Sequence, residues 1–300
     1  MHTNFIGVGT ALVTPFTRSG ELDESAVRRL GRRQIDAGIH FLVPCGTTGE
    51  NPTLSDAERI RIVEILVDEA KGRVPVLAGA GGYDTREVIH LAAAMKRAGA
   101  SGLLSVTPYY NKPTQEGLFL HYRAIAESTD LPIVVYNVPG RAGVNVEPST
   151  LARLSAFPNI VGVKEASGNI TQMCEVCRVV PSDFIVLSGD DAITLPLMAV
   201  GGKGVISVAS NEIPADMVEM VQAGLRGDFA AARAVHHRIL PLMQINFIES
   251  NPVPVKAAMA AMGLLEENFR LPMCSPTPAS REKIVHVLKE LQLLKPVYAG

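Results

Sequence analysis

Cysteine is scarce in this 300-residue chain, and the four present, Cys45, Cys174, Cys177 and Cys274, are too scattered to staple a small secreted scaffold. Cys174-x-x-Cys177 has no second ligand pair at zinc-site spacing, so the motif predicts two buried thiols one helical turn apart. No uninterrupted apolar run reaches the roughly 18 residues that a bilayer span requires. Met1-His2-Thr3-Asn4-Phe5 lacks the basic and apolar regions of a secretory leader. Charge of one sign is equally short: 28 basic residues against 30 acidic give −2, with no Lys/Arg block. A nucleic-acid or other polymeric partner therefore has no electrostatic footprint to bind. Neither Gly7-Val8-Gly9 nor Gly79-Ala80-Gly81-Gly82 completes a dinucleotide fingerprint, and no Walker-type Lys-Ser/Thr pair follows either. The seven histidines, from His2 to His286, form no His-x-Glu or His-x-x-x-His grouping, so no metal site is expected. These absences predict a soluble, cytoplasmic, reduced protein that handles small molecules.

What the chain does have is apolar character, at 47% against 19% charged residues, enough to bury a large core and to exclude disorder. Short, nearly continuous Val/Ile/Leu runs occupy residues 7–15, 39–45, 74–80, 102–109, 132–138, 160–165, 184–189 and 204–208. Continuity rather than alternation marks strands buried on both faces. Helical periods lie between them. Over residues 55–70, Ile60, Val63, Leu66, Val67 and Ala70 share one face, Ser55 and Glu58 form a capping-box pattern, and Gly72 follows the end. Asp84 and Glu87 repeat the capping pattern before a helix ended by Gly99, and Gly38 ends the first helix. Eight strands alternating with helices predict a (β/α)8 TIM barrel, with a doubly wound open sheet as the competing arrangement. After the eighth strand only helical patterns remain, including residues 229–240, 254–262 and 280–293. The expected organisation is a catalytic barrel over residues 1–225 and a C-terminal helical region over 226–300.

In a parallel barrel the C-terminal strand ends share one mouth. Lys164, after Ile160-Val161-Gly162-Val163, is directed to the interior or rim, where desolvation favours the neutral amine of a Schiff-base nucleophile. Position alone also allows, and by itself favours, a lysine paired with a strand-end carboxylate such as Asp190 or Glu165. Thr47-Thr48-Gly49 either holds a small carboxylate through N–H groups and hydroxyls or is an ordinary turn before a capped helix. Tyr110 and Tyr136 offer phenolic hydroxyls for proton transfer, or are buried tyrosines with satisfied hydroxyls. Arg141, after Pro139-Gly140, is a candidate bidentate carboxylate clamp, or a surface arginine.

These segments carry a resemblance. Gly46-Thr47-Thr48-Gly49-Glu50, Thr107-Pro108-Tyr109-Tyr110-Asn111-Lys112-Pro113, Tyr136-Asn137-Val138-Pro139-Gly140-Arg141 and Val163-Lys164-Glu165-Ala166-Ser167-Gly168 are four of its motifs. Leu187-Ser188-Gly189-Asp190-Asp191, Gly204-Val205-Ile206-Ser207-Val208 and Asn251-Pro252-Val253-Pro254-Val255-Lys256 extend it over nearly the whole chain. In this order and spacing the sequence resembles the dihydrodipicolinate synthase family of pyruvate-dependent, Schiff-base-forming lyases and aldolases.

The resemblance implies a barrel that assembles as a homotetramer of two tight dimers. It implies condensation of pyruvate with L-aspartate 4-semialdehyde to 4-hydroxy-tetrahydrodipicolinate and water, in diaminopimelate and lysine biosynthesis. No cofactor is implied beyond the covalent imine of pyruvate on Lys164. Thr47 and Thr48 would hold the pyruvate carboxylate, and the backbones of Gly189 and Ile206 would line its pocket. Tyr136 would be the acid/base, linked through Thr47 to a Tyr110 supplied by the neighbouring subunit. Arg141 would bind the carboxylate of the second substrate; aldolases for polyol substrates generally lack it.

Two other readings compete: a sister aldolase or lyase for a hydroxylated 2-oxo acid, and a barrel that only binds a keto acid. Many family members are also inhibited by lysine at the dimer interface. The matching positions here are Asn51, Pro52, Asp56, Arg59, Tyr83, Glu87 and Tyr109. A bulky Tyr83 and a cationic Arg59 disfavour a cationic ligand, so weak or absent lysine feedback is expected.

Overall fold

A computed structural model describes residues 5–294 of the chain. The expectations for His2, the first four residues and residues 295–300 lie outside the described residues. Eight strands follow in order: β1 (Gly7–Ala11), β2 (Phe41–Val43), β3 (Leu77–Gly79), β4 (Gly102–Val106), β5 (Ile133–Asn137), β6 (Ile160–Glu165), β7 (Ile185–Ser188) and β8 (Gly204–Ser207). Around them run α1 (Glu24–Asp36), α2 (Asp56–Ala70), α3 (Thr85–Arg97), α4 (Gln115–Ser128), α5 (Pro139–Ala142), α6 (Pro148–Leu154), α7 (Ile170–Val179) and α8 (Thr194–Ala199). The chain continues through α9 (Pro214–Leu225), α10 (Phe229–Ile245), α11 (Val253–Ala261) and α12 (Pro278–Glu290).

Every strand pair is parallel, in the spatial order β2-β1-β8-β7-β6-β5-β4-β3. A single parallel bridge, Leu42 to Val76, closes the ring between β2 and β3. Closure there needs glycine at 79, where a Cβ would stand 2.0 Å from the Cys45 carbonyl oxygen. The fold is a TIM barrel, and the open sheet is excluded.

Side chains alternate across each strand. One set, including Phe41, Leu77, Leu104, Val134 and Leu187, fills the barrel interior. The other meets the apolar faces of the helices in a larger continuous cluster. Burying each such aliphatic side chain contributes about 1.5–3 kcal/mol before entropy opposes it.

Several strands are shorter than the sequence pattern. β1 ends at Ala11 and β4 at Val106, although apolar texture runs on. The loops beyond are themselves buried, as Leu12, Val13 and Val138 are, so burial outlasts the ladder. Pro15, Pro44 and Pro108 also lack the N–H that pairing requires. In the opposite sense α10 runs past the expected stop at Leu240, with Pro241 inside it. Pro241 and His237 are exposed, so the carbonyl that loses its donor can be hydrated while Ile239, Leu242 and Met243 stay buried. Cys174 is exposed and Cys177 half-buried, correcting the expected buried pair; α7 buries Met173 and Val176 instead.

The C-terminal helices do not simply coat the barrel. Val255 and Met259 of α11 pack with Val13, Leu30 and Val208, beside the C-terminal ends of β1 and β8. That brings the segment before α11 to the barrel mouth.

Candidate active site

Lys164 sits on β6 in register with Tyr136 of β5 and Leu187 of β7. Its side chain is buried, and Nζ lies 4.0 Å from the centroid of the Tyr136 ring. Among the described residues it has no ion pair. The two carboxylates that might have held it are satisfied by neutral donors. Glu165 accepts from Asn137 Nδ2 at 3.0 Å and from the Ser167 amide at 2.7 Å, and Asp190 Oδ1 accepts from the Ala192 amide at 2.9 Å. Gly189, at the end of β7, makes room for the lysine: a Cβ there would lie 3.1 Å from Lys164 Cε and 2.5 Å from Ala166 Cβ. Ile206 belongs to the same interior cluster as Tyr136 and is buried.

After β2 the chain turns twice, with the Gly49 amide donating to the Gly46 carbonyl and the Glu50 amide to the Thr47 carbonyl. The Thr47 and Thr48 amides make no such bond among the described residues. Thr14 Oγ1 donates to the Gly49 carbonyl at 2.7 Å, tying the turn to the end of β1. Glu50 takes a left-handed conformation, φ 53°, which swings its carboxylate inward. There it meets Lys256 of α11, whose Nζ donates to Glu50 Oε1 at 2.5 Å, the Thr14 carbonyl at 3.0 Å and the Asn268 carbonyl at 2.6 Å. Asn251 Nδ2 donates to Thr48 Oγ1, and the Asn251 carbonyl accepts from Arg141 Nη2.

Thr47, Tyr136 and Arg141 face one cavity of about 230 Å³ at the C-terminal end of the barrel. Lys164 and Gly189 adjoin it through Tyr136, and Thr48 joins Arg141 through Asn251. Tyr110 stands apart: it is 93% exposed, with φ 71°, and does not line the cavity. Larger hollows occur at the N-terminal ends of β6 and β7 and on the outer face of α12, away from the strand ends where barrels place their chemistry. Cys45 is the cavity's thiol, but burial pushes its pKa up to about 12, which keeps it protonated and unreactive. Among the described residues no three His, Cys, Asp or Glu side chains gather as a metal site, and no helix is long and apolar enough to cross a membrane.

Asn251 and Lys256 lie in a recognisable motif, but the sequence alone gives neither of them a role. The available signal was a lysine inside the apolar run Val253–Ala261, which demands a buried partner.

Residues 4–291 match the model of the dihydrodipicolinate synthetase family. The chain belongs to that family. It is 53% identical over 292 residues to the 4-hydroxy-tetrahydrodipicolinate synthase of Koribacter versatilis, covering 96% of this chain and 97% of the relative. The crystal structure of dihydrodipicolinate synthase from Aquifex aeolicus is 44% identical, with a TM-score of 0.95 over 97% of this chain and 100% of that one. The enzyme from Cyanidioschyzon merolae, solved with lysine bound, is 38% identical with a TM-score of 0.94, over 97% of this chain and 99% of that one.

In this dihydrodipicolinate synthetase family member, Asn51, Asp56, Arg59, Tyr83, Glu87 and Tyr109 gather around a second cavity of about 160 Å³. Arg59 Nη1 pairs with Asp56 at 3.2 Å, and Arg59 Nη2 donates to the Asn51 carbonyl at 2.9 Å. Tyr83 stacks edge-on against Tyr109, ring centroids 5.3 Å apart. A fixed guanidinium and two crowded rings thus occupy the surroundings of this cavity.

Proposed function

We propose that this chain condenses pyruvate with L-aspartate 4-semialdehyde, giving 4-hydroxy-tetrahydrodipicolinate and water, through an imine on Lys164. The observation that carries the reading is the state of the two buried lysines. Lys256 is tied to Glu50 and two carbonyls, whereas Lys164 has no ion pair and lies against Tyr136 with Gly189 beside it. Of these two, Lys164 alone has an amine that is not committed to a carboxylate or carbonyl among the described residues, which suits it to add to a carbonyl carbon.

The Lys164 amine adds to C2 of pyruvate and the carbonyl oxygen leaves as water. The imine withdraws electrons from the methyl group, so loss of a C3 proton gives the enamine. C3 then attacks the aldehyde carbon of the second substrate, whose oxygen gains a proton. The substrate's own amine attacks the imine carbon, closes the ring and expels the Lys164 amine. Tyr136, at the cavity wall beside Lys164, is the group suited to move these protons. Thr47 and Thr48 hold the pyruvate carboxylate with hydroxyls and free amides, against the backbones of Gly189 and Ile206; Arg141 takes the carboxylate of the semialdehyde.

Tyr110 cannot join Tyr136 within one chain as it stands, exposed and outside the cavity. That exposed position supports a reading in which a second copy supplies it, within a homotetramer built from tight dimers. The same reading places the enzyme in the cytoplasm, with no cofactor beyond the covalent intermediate. Turnover of pyruvate with aspartate semialdehyde, measured beside turnover of hydroxylated 2-oxo acids, tests the assignment. Preference for the semialdehyde is expected, and preference for a polyol-derived 2-oxo acid would overturn it.

A further inference from the structure

Asn251 is separated from Thr48 by 203 positions in sequence, yet its Nδ2 donates to Thr48 Oγ1 at 3.0 Å. Its main-chain carbonyl accepts from Arg141 Nη2 at 3.3 Å. One residue thus contacts two groups assigned to hold carboxylates, one for each substrate. It is only 4% exposed, and its Oδ1 has no hydrogen-bond partner. Leaving a buried amide oxygen unpaired is costly, so the contacts made by the rest of this side chain must repay that cost.

A threonine hydroxyl has one proton and two lone pairs. When a fixed N–H occupies a lone pair, the hydroxyl proton turns away from that donor toward another acceptor. A carboxylate in place of the amide would instead claim the proton for itself. Asn251 directly precedes Pro252 and α11, and Lys256 anchors α11 to Glu50 in the same turn that carries Thr48. The donor therefore lies in the turn that immediately precedes an anchored helix.

We infer that Asn251 is a positioning residue for both substrates. Its amide commits the Thr48 hydroxyl to donate to the pyruvate carboxylate, and its carbonyl aims the Arg141 guanidinium. The inference rests on the reading that Thr48 and Arg141 receive the two carboxylates.

Asn251→Asp and Asn251→Leu test it. For Asn251→Asp the KM for pyruvate should rise about tenfold or more where the new carboxyl is ionised. It should fall back at lower pH, where the neutral acid donates as the amide did. Asn251→Leu, which introduces no charge into the site, should raise the same KM several-fold without that pH step. The KM for the semialdehyde should move less in both, because the main-chain carbonyl survives substitution. In a Thr48→Val background, Asn251→Asp should add little. A folded Asn251 variant with unchanged pyruvate KM, or equal losses for both substrates, would overturn the inference. Borohydride trapping of pyruvate on the wild-type chain separates the two levels. Absence of an adduct on Lys164 overturns the functional reading and this inference together, whereas an adduct with unchanged KM in the variants overturns this inference alone.

Discussion

Lys256→Met removes the cation from a pair that water does not reach. The side chains of Lys256 and Glu50 are 0% and 1% exposed. The ammonium's three protons find three oxygens, on Glu50, Thr14 and Asn268, and the rings of Phe16 and Phe269 flank it at 4.6 and 4.8 Å. Burial lowers the Lys256 pKa, and the Glu50 carboxylate opposes that shift. Methionine fills most of the space but leaves a buried carboxylate without its counter-charge. Breaking such a pair from one side costs about 3–5 kcal/mol. At roughly 2.1 cal/mol/K of unfolding entropy per residue, a chain of this length loses about 5–8 °C in Tm. Calorimetry at pH 8 reads the shift. Glu50→Gln combined with Lys256→Met should recover part of it, because no charge is then left buried. Since Glu50 closes the turn holding Thr47 and Thr48, the single variant should also raise the KM for pyruvate. A Tm within about 2 °C of wild type would refute the reasoning.

Glu58 accepts both arms of Arg270, and this hydrogen bonding brings its pKa down from 4.5 to about 2. Its folded pKa is depressed, so its stabilisation is present above pH 4.5 and disappears as pH falls toward 2. The Tm gap between wild type and Glu58→Gln should therefore be constant at neutral pH and close over that window; a gap unchanged at pH 2.5 would contradict the pairing. Gly189→Ala should displace Lys164, since the new Cβ meets its Cε at 3.1 Å and Ala166 at 2.5 Å; pyruvate trapping should slow by about tenfold or more, and an unchanged rate would refute the contact. L-Lysine added to the purified enzyme should inhibit weakly or not at all, because Arg59 and the Tyr83–Tyr109 pair occupy the surroundings of the second cavity. Submillimolar inhibition would sink that claim.

The barrel was legible because a strand buried on both faces has nothing polar to alternate with. β6 has the limits read from its run of residues, 160–165. The overlong strands at β1 and β4 mark where burial and pairing part company, since a buried loop is as apolar as a strand. The Ser55 cap was readable for a local reason: both partners lie within one turn, and both bonds form. The roles of Asn251 and Lys256 were not readable. Their partners lie 203 and 206 positions away, and no periodicity connects residues across such distances. The placement of Lys164 followed from its strand, but its freedom from Glu165 depended on amide donors from Asn137 and Ser167. Only the folded chain brings those donors to that carboxylate.

In the proposed reaction the imine with pyruvate forms on Lys164 and not on Lys256, which is also buried. Borohydride reduction with pyruvate, followed by peptide mass mapping, tests it most directly. The expected result is a single reduced pyruvate adduct on the peptide containing Lys164, abolished in Lys164→Ala. An adduct on Lys256, or none on either lysine in active enzyme, would contradict it.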